Sequence, residues 1–153
     1  MARGKTAAWE ERLLTLLVIA ATLALSDQYV KLKLPTQMWA VHHRSSLWFL
    51  GSCLLLVALL PLARLPSNIV TAAAGIFAGG VLGNLISAGA HGFDVPDPLV
   101  IGNRTGVAFN LADTFVLTGN LLLMASLIVL TLRYRDRLPS LGRRVRPMSR
   151  QRA

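Results

Sequence analysis

The sequence predicts an all-α membrane protein with four transmembrane helices, both termini in the cytoplasm and short extracytoplasmic loops. A mean hydropathy of +0.54, with 54% hydrophobic residues over 153, exceeds what a soluble domain of this size carries. The apolar residues gather in four stretches, each close to the ~20 residues that cross ~30 Å of hydrocarbon as a helix. The period-two alternation that a lipid-embedded barrel needs is missing.

The first span is expected over residues 10–31, with its apolar core from Leu13 to Ser26 and a continuation through Val30. Arg3, Lys5 and Arg12 precede it like the basic region of a signal peptide. No small-x-small site followed by a polar domain comes after, so the segment is expected to stay in the chain. Its outer end carries Asp27 and Lys31, four apart and therefore able to pair on one helix face. The bland use of such a pair is an interface anchor with a snorkelling lysine; the functional use is contact with a lipid head group or a substrate backbone.

The second span is expected over 46–65. Cys53, the lone cysteine, excludes an internal disulfide, and Leu50-Gly51-Ser52-Cys53, although similar to a lipobox, lies inside the span and reads as a core thiol. A turn at Arg64, Pro66, Ser67 and Asn68 leads into the third span, 69–87. There Gly75, Gly79 and Gly83 recur every four residues among Ala72, Ala73, Ala74 and Ala78, a stripe that permits close backbone approach. A homodimer seam is one use. Because Asn84 follows directly, packing within the chain beside a polar cluster is favoured. The fourth span, 111–133, opens with Asn110-Leu111-Ala112-Asp113.

The net charge of +9 sits at the ends of the chain, with Arg133, Arg135, Arg137, Arg143, Arg144, Arg146, Arg150 and Arg152 behind the last span. The positive-inside rule then places both ends in the cytoplasm and the segments Lys31 to Ser46 and Ala88 to Ala108 outside. Residues 1–137 form the expected membrane domain, and 138–153 a basic, disordered tail. That tail lacks interleaved aromatics, so nucleic acid is not the expected partner.

Asp113 is the most informative residue, because an ionisable group at membrane depth is costly and marks function by default. Helix rise puts Ser87 about 28 Å from Asn68 and Asp113 about 30 Å from Arg133, so both belong at the outer interface. Asn84 and Ser87 are three apart, as are Asn110 and Asp113, and the two units are expected to face each other. The alternative is that the two asparagines are interhelical glue. His42, His43 and His91 lack ligand spacing with the carboxylates, so neither a metal nor a cofactor is expected.

Asp27-Gln28-x-x-Lys31, Gly79-Gly80-Val81-Leu82-Gly83-Asn84-Leu85-Ile86 and Phe109-Asn110-x-Ala112-Asp113 together resemble bacterial lipoprotein signal peptidase, signal peptidase II. Val41-His42-His43-Arg44-Ser45-Ser46 is similar to the Val-His-Asn-Thr-Gly segment of that family. The resemblance extends over roughly residues 9–137 in order, spacing and helix number. It implies a multi-pass protein of the bacterial inner membrane and a membrane aspartic endopeptidase. Such an enzyme cuts a diacylglyceryl-modified prolipoprotein before its lipidated cysteine, with the lipobox cradled by outer loops and the lipid between helices. Its catalytic aspartates come from Gly-Asn-x-x-Asp-Arg and Phe-Asn-x-Ala-Asp. The second maps onto Asp113; the first maps onto Ser87, and the arginine after it onto Ala88. His43 replaces the family's asparagine, and the segment between the first two spans is short for the family.

A serine cannot exchange protons as a carboxylate does, so the chain is expected to be catalytically impaired while still binding lipid-modified prolipoprotein signal segments. Asn84, Asn110, Asp27 and Lys31 are the expected substrate contacts, and membrane lipid is an expected partner. One alternative is an active peptidase pairing Asp113 with Asp94 or Asp97 of the outer loop, swung inward on Gly92, Gly102 and Gly106. The bland reading of those two acids is solvated turn residues in a loop stiffened by Pro96 and Pro98. A second alternative is a non-enzymatic structural or accessory subunit that serves another membrane protein. Gly102-Asn103-Arg104-Thr105-Gly106 reads as a further turn.

Overall fold

Local chemistry starts and stops the helices of the computed structural model, which describes residues 3–102 and 106–135. Helix α1 spans Arg3–Lys33, and a short 3₁₀ turn, Met38–Ala40, leads into strand β1, Val41–His43. Helix α2, Ser46–Leu59, begins where the Ser45 hydroxyl accepts the Trp48 amide at 3.1 Å. This satisfies one of the donors a helix start leaves free. Pro61 follows at the start of a 3₁₀ turn, Leu60–Arg64, which closes that span. Helix α3, Asn68–Ala90, is capped by Ser67, which accepts the Val70 amide. Strands β2 (Asp94–Pro96), β3 (Leu99–Ile101) and β4 (Val107–Phe109) precede helix α4, Leu111–Tyr134. The expected tail 138–153 and Asn103, Arg104 and Thr105 of the expected turn lie outside the described residues.

Four helical stretches are long and apolar enough to cross a membrane: Ala8–Lys33, Ser46–Arg64, Asn68–Ala90 and Leu111–Tyr134. The third is central, with 67% of its apolar window buried against 22%, 17% and 11% for the first, second and fourth. Leucines exposed on the other three helices form an apolar exterior suited to lipid. The core joins Leu16 and Ala20 of α1, Leu59 of α2, Val70, Ala73, Ala74 and Ala78 of α3, and Leu123 of α4.

Glycines make the close contacts, and they do so on two faces of α3. A Cβ at Gly79 would stand 2.9 Å from the Leu23 Cβ and 3.1 Å from the Ala20 carbonyl oxygen, both on α1. On the other face a Cβ at Gly80 would stand 2.6 Å from the Val116 amide nitrogen of α4. The small-residue stripe is thus consumed inside the chain.

All four strands lie in the connections at one end of the bundle, where α1 and α3 end and α2 and α4 begin. β1 pairs antiparallel with β2 in the register Val41↔Pro96, His42↔Val95 and His43↔Asp94, which clips the first connection to the third. β3 pairs with β4, from Leu99↔Phe109 to Ile101↔Val107. Strands of three residues are too short to carry a readable alternation, and the sequence did not announce them.

Candidate functional site

The polar groups of the sequence converge at this stranded end. Asn110 caps α4: its side chain accepts the Asp113 amide at 2.9 Å, and Asp113 Oδ2 accepts the Asn110 amide at 3.2 Å. This reciprocal box fixes where the Asp113 carboxylate stands. Its other oxygen accepts from Asn84 Nδ2 of α3 at 2.9 Å. Asn84 Oδ1 in turn accepts from Asn110 Nδ2 at 3.0 Å and from Lys31 Nζ at 3.2 Å. One amide therefore bridges α1, α3 and α4, and the two asparagines do face each other.

Lys31 is not the snorkelling residue of the bland expectation. Its side chain is only 5% exposed, and Asp27 is wholly buried beside it. The Lys31 ammonium contacts Asp27 Oδ2 at 2.7 Å, Ser87 Oγ at 3.0 Å and Asn84 Oδ1, which uses its three protons. Asp27 Oδ1 accepts the Ala112 amide in the first turn of α4 at 2.9 Å, where amides without a partner inside the helix favour a negative charge. Close packing at Gly83 makes room for this group, since a Cβ there would lie 2.9 Å from Asp27 Oδ2.

Ser87 is fully buried. Its hydroxyl accepts from Lys31 and from Gln28 Nε2, the latter at 3.2 Å, and donates to the Gly83 carbonyl at 3.2 Å. Within the two facing units, Ser87 bonds to Lys31 and Gln28, and Asn84 is the residue of α3 that bonds to Asp113. Gln28 also donates to Asp27 Oδ2 and to the Gly83 carbonyl.

The two loop acids divide. Asp94 is half-exposed and pairs with His43 Nδ1 at 2.8 Å on the β1·β2 ladder. Asp97 is not the solvated turn residue of the bland reading: it is 2% exposed, its amide donates to the Ala40 carbonyl, and its carboxylate contacts His42 Nδ1 at 2.6 Å. Asn110 Nδ2 donates to its other oxygen. Burial pushes the Asp97 carboxyl above its ordinary range, and the nearby Asp113 charge adds to the rise, partly offset by the Asn110 and His42 hydrogen bonds. Gly92 and Gly102 adopt positive φ, so they shape turns here.

Next to Asp113 and Asn84 opens a cavity of about 240 Å³, lined also by Arg44 and Trp48 at the start of α2, by Phe77 and Val81 of α3 and by Val116 of α4. The Arg44 guanidinium lies over the Trp48 ring, 5.4 Å from its centroid. Among the described residues no group of three His, Cys, Asp or Glu side chains is placed to hold a metal ion. Sequence reasoning singled out neither Gln28 nor Arg44. Both stood inside quoted segments, Asp27-Gln28-x-x-Lys31 and Val41-His42-His43-Arg44-Ser45-Ser46, but the place of Arg44 in the cavity depends on a pairing with the distant third connection, where its amide donates to the Phe93 carbonyl.

The family model described as "Signal peptidase (SPase) II" matches residues 32–129. Two solved structures, each titled as a bacterial membrane enzyme structure by the in meso method, share the fold. One, at 2.3 Å resolution, has 18% identity, a TM-score of 0.55 and coverage of 82% of this chain and 92% of its own. The other, at 1.9 Å, has 19% identity, a TM-score of 0.60 and coverage of 74% and 92%. No curated protein matches the chain in sequence.

Proposed function

The chain belongs to the signal peptidase II family, and from that premise we propose that it is a substrate-binding member that holds lipid-modified prolipoprotein signal segments without cutting them. The multi-pass membrane architecture follows from its four apolar helices. The observation that carries the reading is the state of position 87. Where the family resemblance calls for a carboxylate, a serine hydroxyl is held by Lys31, Gln28 and Gly83. Aspartic hydrolysis needs one carboxylate to take a proton from water and a neutral partner to give one. Among the described residues, Asp113 is the one carboxylate lining the cavity.

The remaining machinery supports binding. Asn84 and Asn110 hold the Asp113 carboxylate at the cavity, and Arg44, which follows β1 directly, lines it from the side of the loops. Full-length protein in lipid nanodiscs should bind a diacylglyceryl lipobox peptide saturably and release no mature product. Ser87→Asp should restore trace cleavage, since the new carboxylate would stand beside the Lys31 ammonium that stabilises its charge. Cleavage by the unmodified chain that Asp113→Ala abolishes would overturn the reading.

A second reading has one observation in its favour, the raised Asp97 carboxyl within the field of Asp113. In that case Asp97 is the neutral acid and Asp113 the charged base of a working pair. Turnover would then vanish with Asp97→Ala and survive Asp94→Ala. Measurable cleavage that persists in Asp97→Ala removes this option.

A further inference from the structure

We propose that the cavity beside Asp113 also binds a zwitterionic phospholipid with a primary-ammonium head group, the Arg44 guanidinium taking the phosphate and the Asp113 carboxylate taking the ammonium. The argument starts from two opposite charges in one cavity whose other lining is largely apolar, with Trp48, Phe77 and Val81 among its walls. Arg44 has no carboxylate partner among the described residues, and its buried Nε has no hydrogen-bond acceptor among them. A buried donor left unpaired is costly, and a phosphate with its several acceptor oxygens is the group a guanidinium fork suits best. Asp113 has one hydrogen bond to each carboxylate oxygen, from Asn84 and from the Asn110 amide, which leaves each oxygen able to accept another.

Depth and shape agree with this occupant. Both charges lie at the stranded end of the bundle, where α2 and α4 begin, and the apolar walls run from there along α3 and α4. A lipid has the same order, with charge at the interface and hydrocarbon below. The cavity also discriminates between head groups. A quaternary ammonium has no N–H to donate to Asp113, and one face of Trp48, which a choline group would need, is taken by Arg44. An anionic head group without an amine satisfies Arg44 alone.

The inference goes beyond peptide binding but uses the same cavity, so the test includes both ligands. Full-length protein in phospholipid-free detergent micelles is titrated with short-chain phosphatidylethanolamine, phosphatidylglycerol and phosphatidylcholine, with native mass spectrometry as the readout. Phosphatidylethanolamine should bind about tenfold or more tightly than phosphatidylcholine, the effect of one charge-assisted hydrogen bond. Arg44→Gln should weaken all three lipids, because each presents a phosphate to the guanidinium. Asp113→Asn should weaken phosphatidylethanolamine alone. Arg44→Lys, which keeps the charge and loses the fork, should fall between the parent and Arg44→Gln, and this grading separates lost recognition from lost folding. Equal binding of the ethanolamine and choline lipids to the unmodified chain, or unchanged ethanolamine-lipid binding in Arg44→Gln, overturns the proposal. A diacylglyceryl lipobox peptide titrated into the same micelles reports on the peptide reading independently, because that ligand carries no phosphate.

Discussion

At the scale of single residues, the buried Asp27–Lys31 pair decides how the polar end is held together. Two charges taken out of water are expensive, and here the cost is offset by the Ala112 amide, Gln28, Ser87 and Asn84 around them. Lys31→Met strands the Asp27 carboxylate in a site with no counter-charge, and a loss of about 3–5 kcal/mol is expected in chemical unfolding of the detergent-solubilised protein. The double variant Asp27→Asn with Lys31→Met should lose clearly less, which a double-mutant cycle would measure. Asp97 makes a prediction in pH. Its carboxyl is raised above 3.8 by burial and by Asp113, so the folded protein keeps that proton when the unfolded chain has released it. The contribution is full below pH 3.8 and is lost as pH climbs through the raised folded value. Thermal unfolding followed across that acid range should show this decline in the parent protein and its absence in Asp97→Asn.

At the scale of elements, the helices were legible and the strands were not. Four apolar runs spell helices because hydropathy is a local property. The Asp27–Lys31 pair was readable from helical period, and the facing Asn84 and Asn110 from the common depth that helix rise assigns their segments. The burial of Asp97 was not readable, since it depends on Ala40 and His42 arriving from a connection far away in sequence. The burial of Lys31 was not readable either, because a lone helix in lipid would let it snorkel, whereas α3 supplies acceptors in place. Helix packing is tested with glycines of equal propensity cost and unequal surroundings. Gly80→Ala should separate α3 from α4 and cost about 1–3 kcal/mol, because backbone of α4 blocks the new methyl group. Gly51→Ala meets nothing within 4 Å and should be neutral or stabilising by up to about 1 kcal/mol. The same unfolding assay compares the two.

At the scale of the whole molecule, polar side chains and strands are concentrated at one end of an apolar bundle. Charge placement predicts that the other end faces the cytoplasm, with both termini there. Single cysteines introduced before Ala8 and after Arg135 in a Cys53→Ala background should therefore react with membrane-impermeant maleimide only after the cytoplasmic side is opened. A cysteine at exposed Met38 should react in intact cells. The long-range wiring of Lys31 also bears on biogenesis. Its acceptors Asn84 and Ser87 leave the ribosome 53 and 56 residues after it, and the amide that secures Asp27 follows that acid by 85. While the nascent chain is being threaded through the translocon, the charged tip of its leading helix has only an intrahelical mate. A polypeptide truncated before its final crossing would lack the Ala112 amide that secures Asp27 and would present quality-control proteases with an unfinished polar wound in the bilayer.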